Sequence, residues 1–214
     1  MTREPSQLSR AGAPIGAARA AVIMIHGRGA SAGGMLGLAD AFGTTDVAYL
    51  APQAPHGSWY PYSFLAPLED NEPDLGQALN TISSAVAGVI RDGIPSDRIV
   101  LLGFSQGACL ALEYAARNAQ RYGGVVGLSG GLIGPDGTPR TYPGSLENTP
   151  VFLGCSDIDA HIPLARVEES ASIMASLGGA VTKRIYPGMG HTIAQDEINH
   201  VQKILFGIGA EQTL

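Results

Sequence analysis

The segment Gly103-Phe104-Ser105-Gln106-Gly107 sets a serine between two glycines at G-x-S-x-G spacing. A serine hydroxyl is a weak nucleophile and attacks a carbonyl carbon only when a base takes its proton. The spacing suits a strand-to-helix turn tight enough to present that hydroxyl, since the crowded backbone leaves no room for bulky neighbours. Such a turn also sets Ser105 at the positive end of the following helix, where a developing oxyanion is favoured. The same five residues would also serve as an ordinary Gly-Ser turn, so the reading depends on what else the chain supplies.

A base and an acid to orient it follow in the order expected for a strand-borne serine nucleophile, acid before histidine. After the apolar run 150–155 comes Ser156-Asp157-Ile158-Asp159-Ala160-His161-Ile162-Pro163. After the run Ala180–Tyr186 comes Pro187-Gly188-Met189-Gly190-His191. His191, delivered by a Gly-rich turn, is the candidate base, and Asp157 and Asp159 are both candidate acids. His161 adjoins the acid loop and reads as a pocket wall. His56 precedes the serine in a Pro-rich loop, and His200 falls inside the last helix. An oxyanion hole needs two backbone donors. Gln106, the residue after the nucleophile, offers one amide, and His26-Gly27-Arg28-Gly29 offers the other through Arg28, with glycines allowing close approach.

The elements that must position these groups alternate short apolar runs with longer amphipathic ones, the pattern of a mostly parallel sheet covered on both faces by helices. Strands are expected at Ala20–Ile25, 46–50, 98–104, 125–129, 150–155 and Ala180–Tyr186. Helices are expected at 74–92, 106–118, 164–177 and 193–206. In the first of these, Leu75, Leu79, Ile82, Val86, Val89 and Ile90 fall at helical spacing. Glu72 and Asp74 stand near its start, where a helix dipole favours acids. The serine, both acids and the histidine then all leave the C-terminal ends of strands, the edge at which open parallel sheets bind ligands. No repeat or linker is visible, so residues 1–214 read as one domain, with 1–19 an irregular or edge segment.

Composition narrows the function classes. The chain has 214 residues, a formal net charge of −6 and 45% hydrophobic residues, ample for one buried core. An acidic balance without a basic run argues against nucleic-acid binding. No run of about 18 apolar residues suggests a membrane span, and the first residues lack a signal-peptide pattern, so a cytoplasmic enzyme is expected. Cys109 and Cys155 have no zinc-type spacing and sit in apolar stretches, as small core residues do.

Together, the His26 to Gly29 segment, the G-x-S-x-G segment, the Asp157-Ile158-Asp159 loop ending in Ile162-Pro163, and Gly188-Met189-Gly190-His191 resemble the phospholipase/carboxylesterase family. That family includes acyl-protein thioesterases and small bacterial carboxylesterases. The resemblance implies an α/β-hydrolase fold without a large cap domain, acting on carboxylic ester or thioester bonds and needing no metal or cofactor. It also selects Asp159 as the acid, because the family pattern D-x-D-P-x-V-P carries the acid at its second Asp. Asp157 then becomes a group that either supports the three residues from behind or caps the loop. The chain departs from the pattern at Ala160, where proline is usual, and at His161, where an aliphatic residue is usual.

The loop 51–67 adds an aromatic cluster, of which Trp59, Tyr60 and Phe64, with His161, are candidate substrate contacts. Their bulk suits small to medium acyl groups. The expected partner is a small-molecule ester, with the protein a monomer or homodimer. Lysophospholipase, acyl-protein thioesterase and lactone hydrolase remain alternatives on the same three residues. A non-catalytic binding module on the same fold is a further one.

Overall fold

The computed structural model describes residues 8–209. In chain order the elements are β1 (Leu8–Gly12), β2 (Ala20–Ile25), α1 (Ala32–Leu36), β3 (Val47–Pro52), α2 (Asp74–Arg91), β4 (Ile99–Phe104) and α3 (Gln106–Arg117). They continue with β5 (Gly124–Leu128), β6 (Pro150–Ser156), α4 (Leu164–Ser176), β7 (Ala180–Tyr186) and α5 (Gln195–Gly207). Every strand and helix expected from the sequence is present, with ends displaced by at most two residues.

The strands form one sheet in the order β1-β3-β2-β4-β5-β6-β7. All neighbours are parallel except β1, which runs antiparallel to β3 with Leu8 opposite Pro52 and Gly12 opposite Ala48. The N-terminal segment therefore supplies an edge strand. The expectation for residues 1–7 lies outside the described residues.

Side chains of a strand alternate between its two faces, and each face is apolar. Ile23, Ile25, Leu101 and Leu153 face α2, α3 and α4 through Ile82, Val86, Leu110, Val167 and Met174. Val22, Met24, Val100 and Leu102 face α1 and α5 through Met35, Ile198, Val201 and Leu205. Burial on both faces is why the central strands read as unbroken apolar runs. The helix α1 is not legible as a periodic stripe, because three of residues 33–37 are glycines. Ser31 caps it by accepting a hydrogen bond from Gly34 N at 3.1 Å. Strand β7 closes the far edge with Lys183 and Arg184 exposed, charges that discourage pairing with another chain.

Cys109 and Cys155 are buried free thiols. Among the described residues no helix is long and apolar enough to cross a membrane.

Candidate active site

The turn from β4 into α3 is built by close approach. A methyl group on Gly103 would lie 2.1 Å from Gly107 O, and one on Gly107 would lie 2.0 Å from Ile25 O. Both contacts are with backbone, so only glycine fits either position. Ser105 between them adopts φ 55° and ψ −120°, a conformation that costs energy for a residue with a side chain. The surrounding structure holds it there: Ser105 N donates to Leu128 O at 2.9 Å, extending the β4–β5 pairing into the turn. The result lifts the hydroxyl clear of the sheet at the N-terminus of α3.

Two loops converge on that hydroxyl. His191 Nε2 lies 2.8 Å from Ser105 Oγ, and His191 Nδ1 lies 2.7 Å from Asp159 Oδ2. A carboxylate only accepts, so Nδ1 carries the ring proton and Nε2 is left to accept from the serine. The Asp159 side chain has no solvent exposure, whereas that of His191 is 20% exposed. Asp159 Oδ1 accepts from His161 N at 2.8 Å and Ile162 N at 3.1 Å, and the Cys155 thiol points at Oδ2 from 3.8 Å. Burial alone would raise this carboxyl, but the hydrogen bonds from His191 and the two amides outweigh it and hold Asp159 below the usual range. Burial first, and then the Asp159 charge, push the Cys155 thiol up to about 12, so it stays protonated and able to donate.

Asp157 does not reach His191. Its Oδ1 accepts from Gly188 N at 2.8 Å, and Ser156 Oγ donates to Met189 O. These two bonds staple the acid loop to the histidine loop. Beyond His191 the chain enters α5, where Glu197 Oε2 accepts from Ala194 N at 2.7 Å. Glu197 Oε1 is buried without a partner against Gly154, whose added methyl would lie 2.0 Å from it. Burial raises this carboxyl to about 7.

Gln106 and Arg28 lie where the sequence puts them, beside the serine. Gln106 is the first residue of α3, so its N–H has no partner within the helix. Gly27 brings the Arg28 segment against the turn: a methyl there would stand 3.3 Å from Phe104 O and from Ser105 Cβ. The side chains of both residues have a second task that the sequence did not disclose. Gln106 Oε1 accepts from Trp59 N at 3.0 Å and Gln106 Nε2 donates to Tyr60 O at 2.9 Å. Arg28 donates to Pro61 O at 2.8 Å, Tyr62 O at 2.6 Å and Ser58 Oγ at 3.0 Å. Asn71, buried below, accepts from Tyr62 N and donates to Ser63 O, both at 2.9 Å.

A cavity of about 590 Å³ opens over Ser105 and His191, within the usual size for a small-molecule site. Tyr60, Phe64 and His161 line it. Trp59 does not. Its indole is buried and donates from Nε1 to His26 O at 2.8 Å, because a buried indole N–H seeks an acceptor. The expectation of a substrate contact at Trp59 is therefore corrected: it supports the loop from beneath. Cys109 and Ile162 also line the cavity. Cys109 was discoverable as the residue one helical turn after Ser105, and Ile162 as the partner of Pro163 in the acid-loop motif. His26 is buried and takes hydrogen bonds from Ala54 N at 3.1 Å and Gln53 Nε2 at 3.3 Å, and burial lowers its pKa below that of a free imidazole. A second cavity of about 490 Å³ lies at the opposite edge of the sheet, among Arg98, Gly123, Pro150 and Ala180, and holds none of these groups. Among the described residues no three His, Cys, Asp or Glu side chains are grouped to hold a metal ion.

The chain is similar to known proteins. The family model described as phospholipase/carboxylesterase matches residues 9–206. A phospholipase/carboxylesterase from Dyadobacter fermentans superposes with a TM-score of 0.91 at 42% identity, covering 96% of this chain and 99% of that one. Acyl-protein thioesterase 1 of Saccharomyces cerevisiae is 27% identical over 92% of this chain and 96% of its own length. Acyl-protein thioesterase 1 of Gibberella zeae is 33% identical over 54% of this chain, an alignment that spans half of that relative. The chain belongs to the phospholipase/carboxylesterase family and is a hydrolase of the carboxylesterase and thioesterase type.

Proposed function

We propose that this protein is a serine esterase cleaving carboxylic esters of small to medium acyl groups, with Ser105 as nucleophile, His191 as general base and Asp159 as orienter. The observation that carries the reading is the unbroken chain from Ser105 Oγ to His191 Nε2 at 2.8 Å and from His191 Nδ1 to Asp159 Oδ2 at 2.7 Å, opening on a cavity. His191 takes the hydroxyl proton as Ser105 Oγ bonds to the carbonyl carbon. The amides of Arg28 and Gln106 receive the oxyanion, and Asp159 stabilises the imidazolium. Collapse expels the alcohol, which takes the proton from His191. Water, deprotonated by the same histidine, then releases the acid from the acyl-enzyme. A thioester would react along the same path.

Tyr60 and Phe64 wall the cavity, which supports short or medium chains over long ones. Initial rates on p-nitrophenyl esters from acetate to palmitate, for wild type beside Ser105→Ala, test both parts. Turnover that peaks at a short or medium chain and vanishes in the variant is the expected result. Activity retained by Ser105→Ala overturns the nucleophile, and a palmitate optimum overturns the acyl preference.

A further inference from the structure

The cavity over Ser105 is lined by a fixed cation, in a chain whose net charge is negative. The protein carries a net charge of −6, yet among the described residues no Asp or Glu side chain lines this cavity, whereas Arg28, His161 and His191 do. The Asp159 carboxylate, paired with His191, has no solvent exposure. Arg28 is the fixed cation of the group. Three of its five N–H donors are engaged, all by neutral oxygens of Ser58, Pro61 and Tyr62. Among the described residues no carboxylate pairs with it, in contrast with Arg19, Arg117, Arg140 and Arg166. His161 lines the same cavity from the acid loop, its ring edge-on to that of His191 with centroids 4.9 Å apart.

We propose that the natural ester carries an anionic group, a carboxylate or a phosphate, which docks against the Arg28 guanidinium with His161 alongside. This rests on the esterase reading and specifies its substrate class. A guanidinium held by three hydrogen bonds, two to backbone carbonyls and one to the Ser58 hydroxyl, loses little entropy on taking an anion, and its remaining donors suit a carboxylate or phosphate oxygen. An anion there also offsets the repulsion between Arg28 and the imidazolium that His191 becomes during attack.

The test compares esters matched in size. Butyrate esters of 4-hydroxybenzamide, 4-hydroxybenzoate and 4-hydroxyphenyl phosphate vary the alcohol side. The p-nitrophenyl esters of methyl adipate and of adipate vary the acyl side. In wild type, at least one anionic ester is expected to exceed its neutral partner about tenfold or more in kcat/KM, an advantage that shrinks at about 0.5 M salt. Arg28→Gln keeps the backbone amide and should bring that ratio close to one; His161→Gln should lower it by a smaller factor. Whether the benzoate or the phosphate gains more identifies the anion. Equal or better turnover of the neutral partner in both sets overturns the proposal, as does an Arg28→Gln variant that slows neutral and anionic esters alike, which would leave Arg28 as a loop anchor only. Neutral esters cleaved by wild type and not by Ser105→Ala keep the esterase reading intact in either case. If no ester turns over, that reading fails and takes this one with it.

Discussion

The serine turn and the aromatic loop above it face each other across the same cavity and are held by different physics. At the turn, Gly103 and Gly107 touch backbone of Gly107 and Ile25, so the geometry of Ser105 is imposed by excluded volume. Interiors are packed to crystal density, and such contacts have no slack. Over 58–64 the chain is instead suspended by side chains of Arg28, Gln106 and Asn71 that hydrogen-bond its backbone. Hydrogen bonds can lengthen and re-form, whereas a backbone clash cannot be relieved locally. The contrast places precision under the reacting atom and tolerance around the substrate.

The sharpest way to break this contrast is Gly107→Ala. Its methyl group would meet Ile25 O and His26 O at the buried end of β2, and we expect a loss of about 4 kcal/mol or more, lowering Tm by roughly 10 °C. An unchanged melting curve would mean the turn has room to move. Next in size, Asp159→Asn should lower kcat by about 10⁴ with a near-normal melting curve, while Asp157→Asn, which removes the charge but keeps an oxygen to accept from Gly188 N, should cost less than about tenfold. A reversal of that ranking would make Asp157 the orienting acid.

Glu197 probes the close-packed side of the comparison by pH. Its carboxyl is raised from 4.5 to about 7 in the folded protein, so the folded state binds the extra proton between those values. Stability from this group is complete below the unfolded pKa and is lost as pH rises through about 7. Glu197→Gln should flatten that decline, seen as a smaller difference in Tm between pH 5 and pH 8. An unchanged difference would exclude the buried carboxyl as its source. The smallest effect is expected at the loop. Gln106→Ala keeps the backbone amide but releases Trp59 N and Tyr60 O, which should raise KM by roughly tenfold and cost about 1–3 kcal/mol. A fall in kcat at unchanged KM would instead tie the side chain to the transition state.

What the sequence disclosed follows the same division. Strands β2, β4, β5 and β6 were legible because burial on both faces demands unbroken apolar runs, the G-x-S-x-G turn because close approach demands glycine, and the histidine turn because Gly188 takes a positive φ of 68°. The choice between Asp157 and Asp159 was not legible from residue types, since both leave the same strand end. Only the geometry separates the carboxylate that meets His191 from the one that meets Gly188 N. Trp59 was misread for a related reason. An aromatic in a loop has the same composition whether it walls a cavity or supports one, and its contact with His26 O depends on a pairing 33 residues apart. The clamps of Gln106 and Asn71 were equally hidden, because a polar side chain's distant backbone partner leaves no local pattern.

The way the aromatic loop is suspended has a consequence for inheritance. Gln106, Arg28 and Asn71 bind carbonyl and amide groups at 59–63, which every residue type possesses apart from the proline N–H. Tyr60, Tyr62 and Phe64 can therefore be exchanged without disturbing the supports that carry them. The loop is a replaceable cassette on fixed brackets: a lineage can re-tailor what it hydrolyses while the serine turn beneath stays as it is.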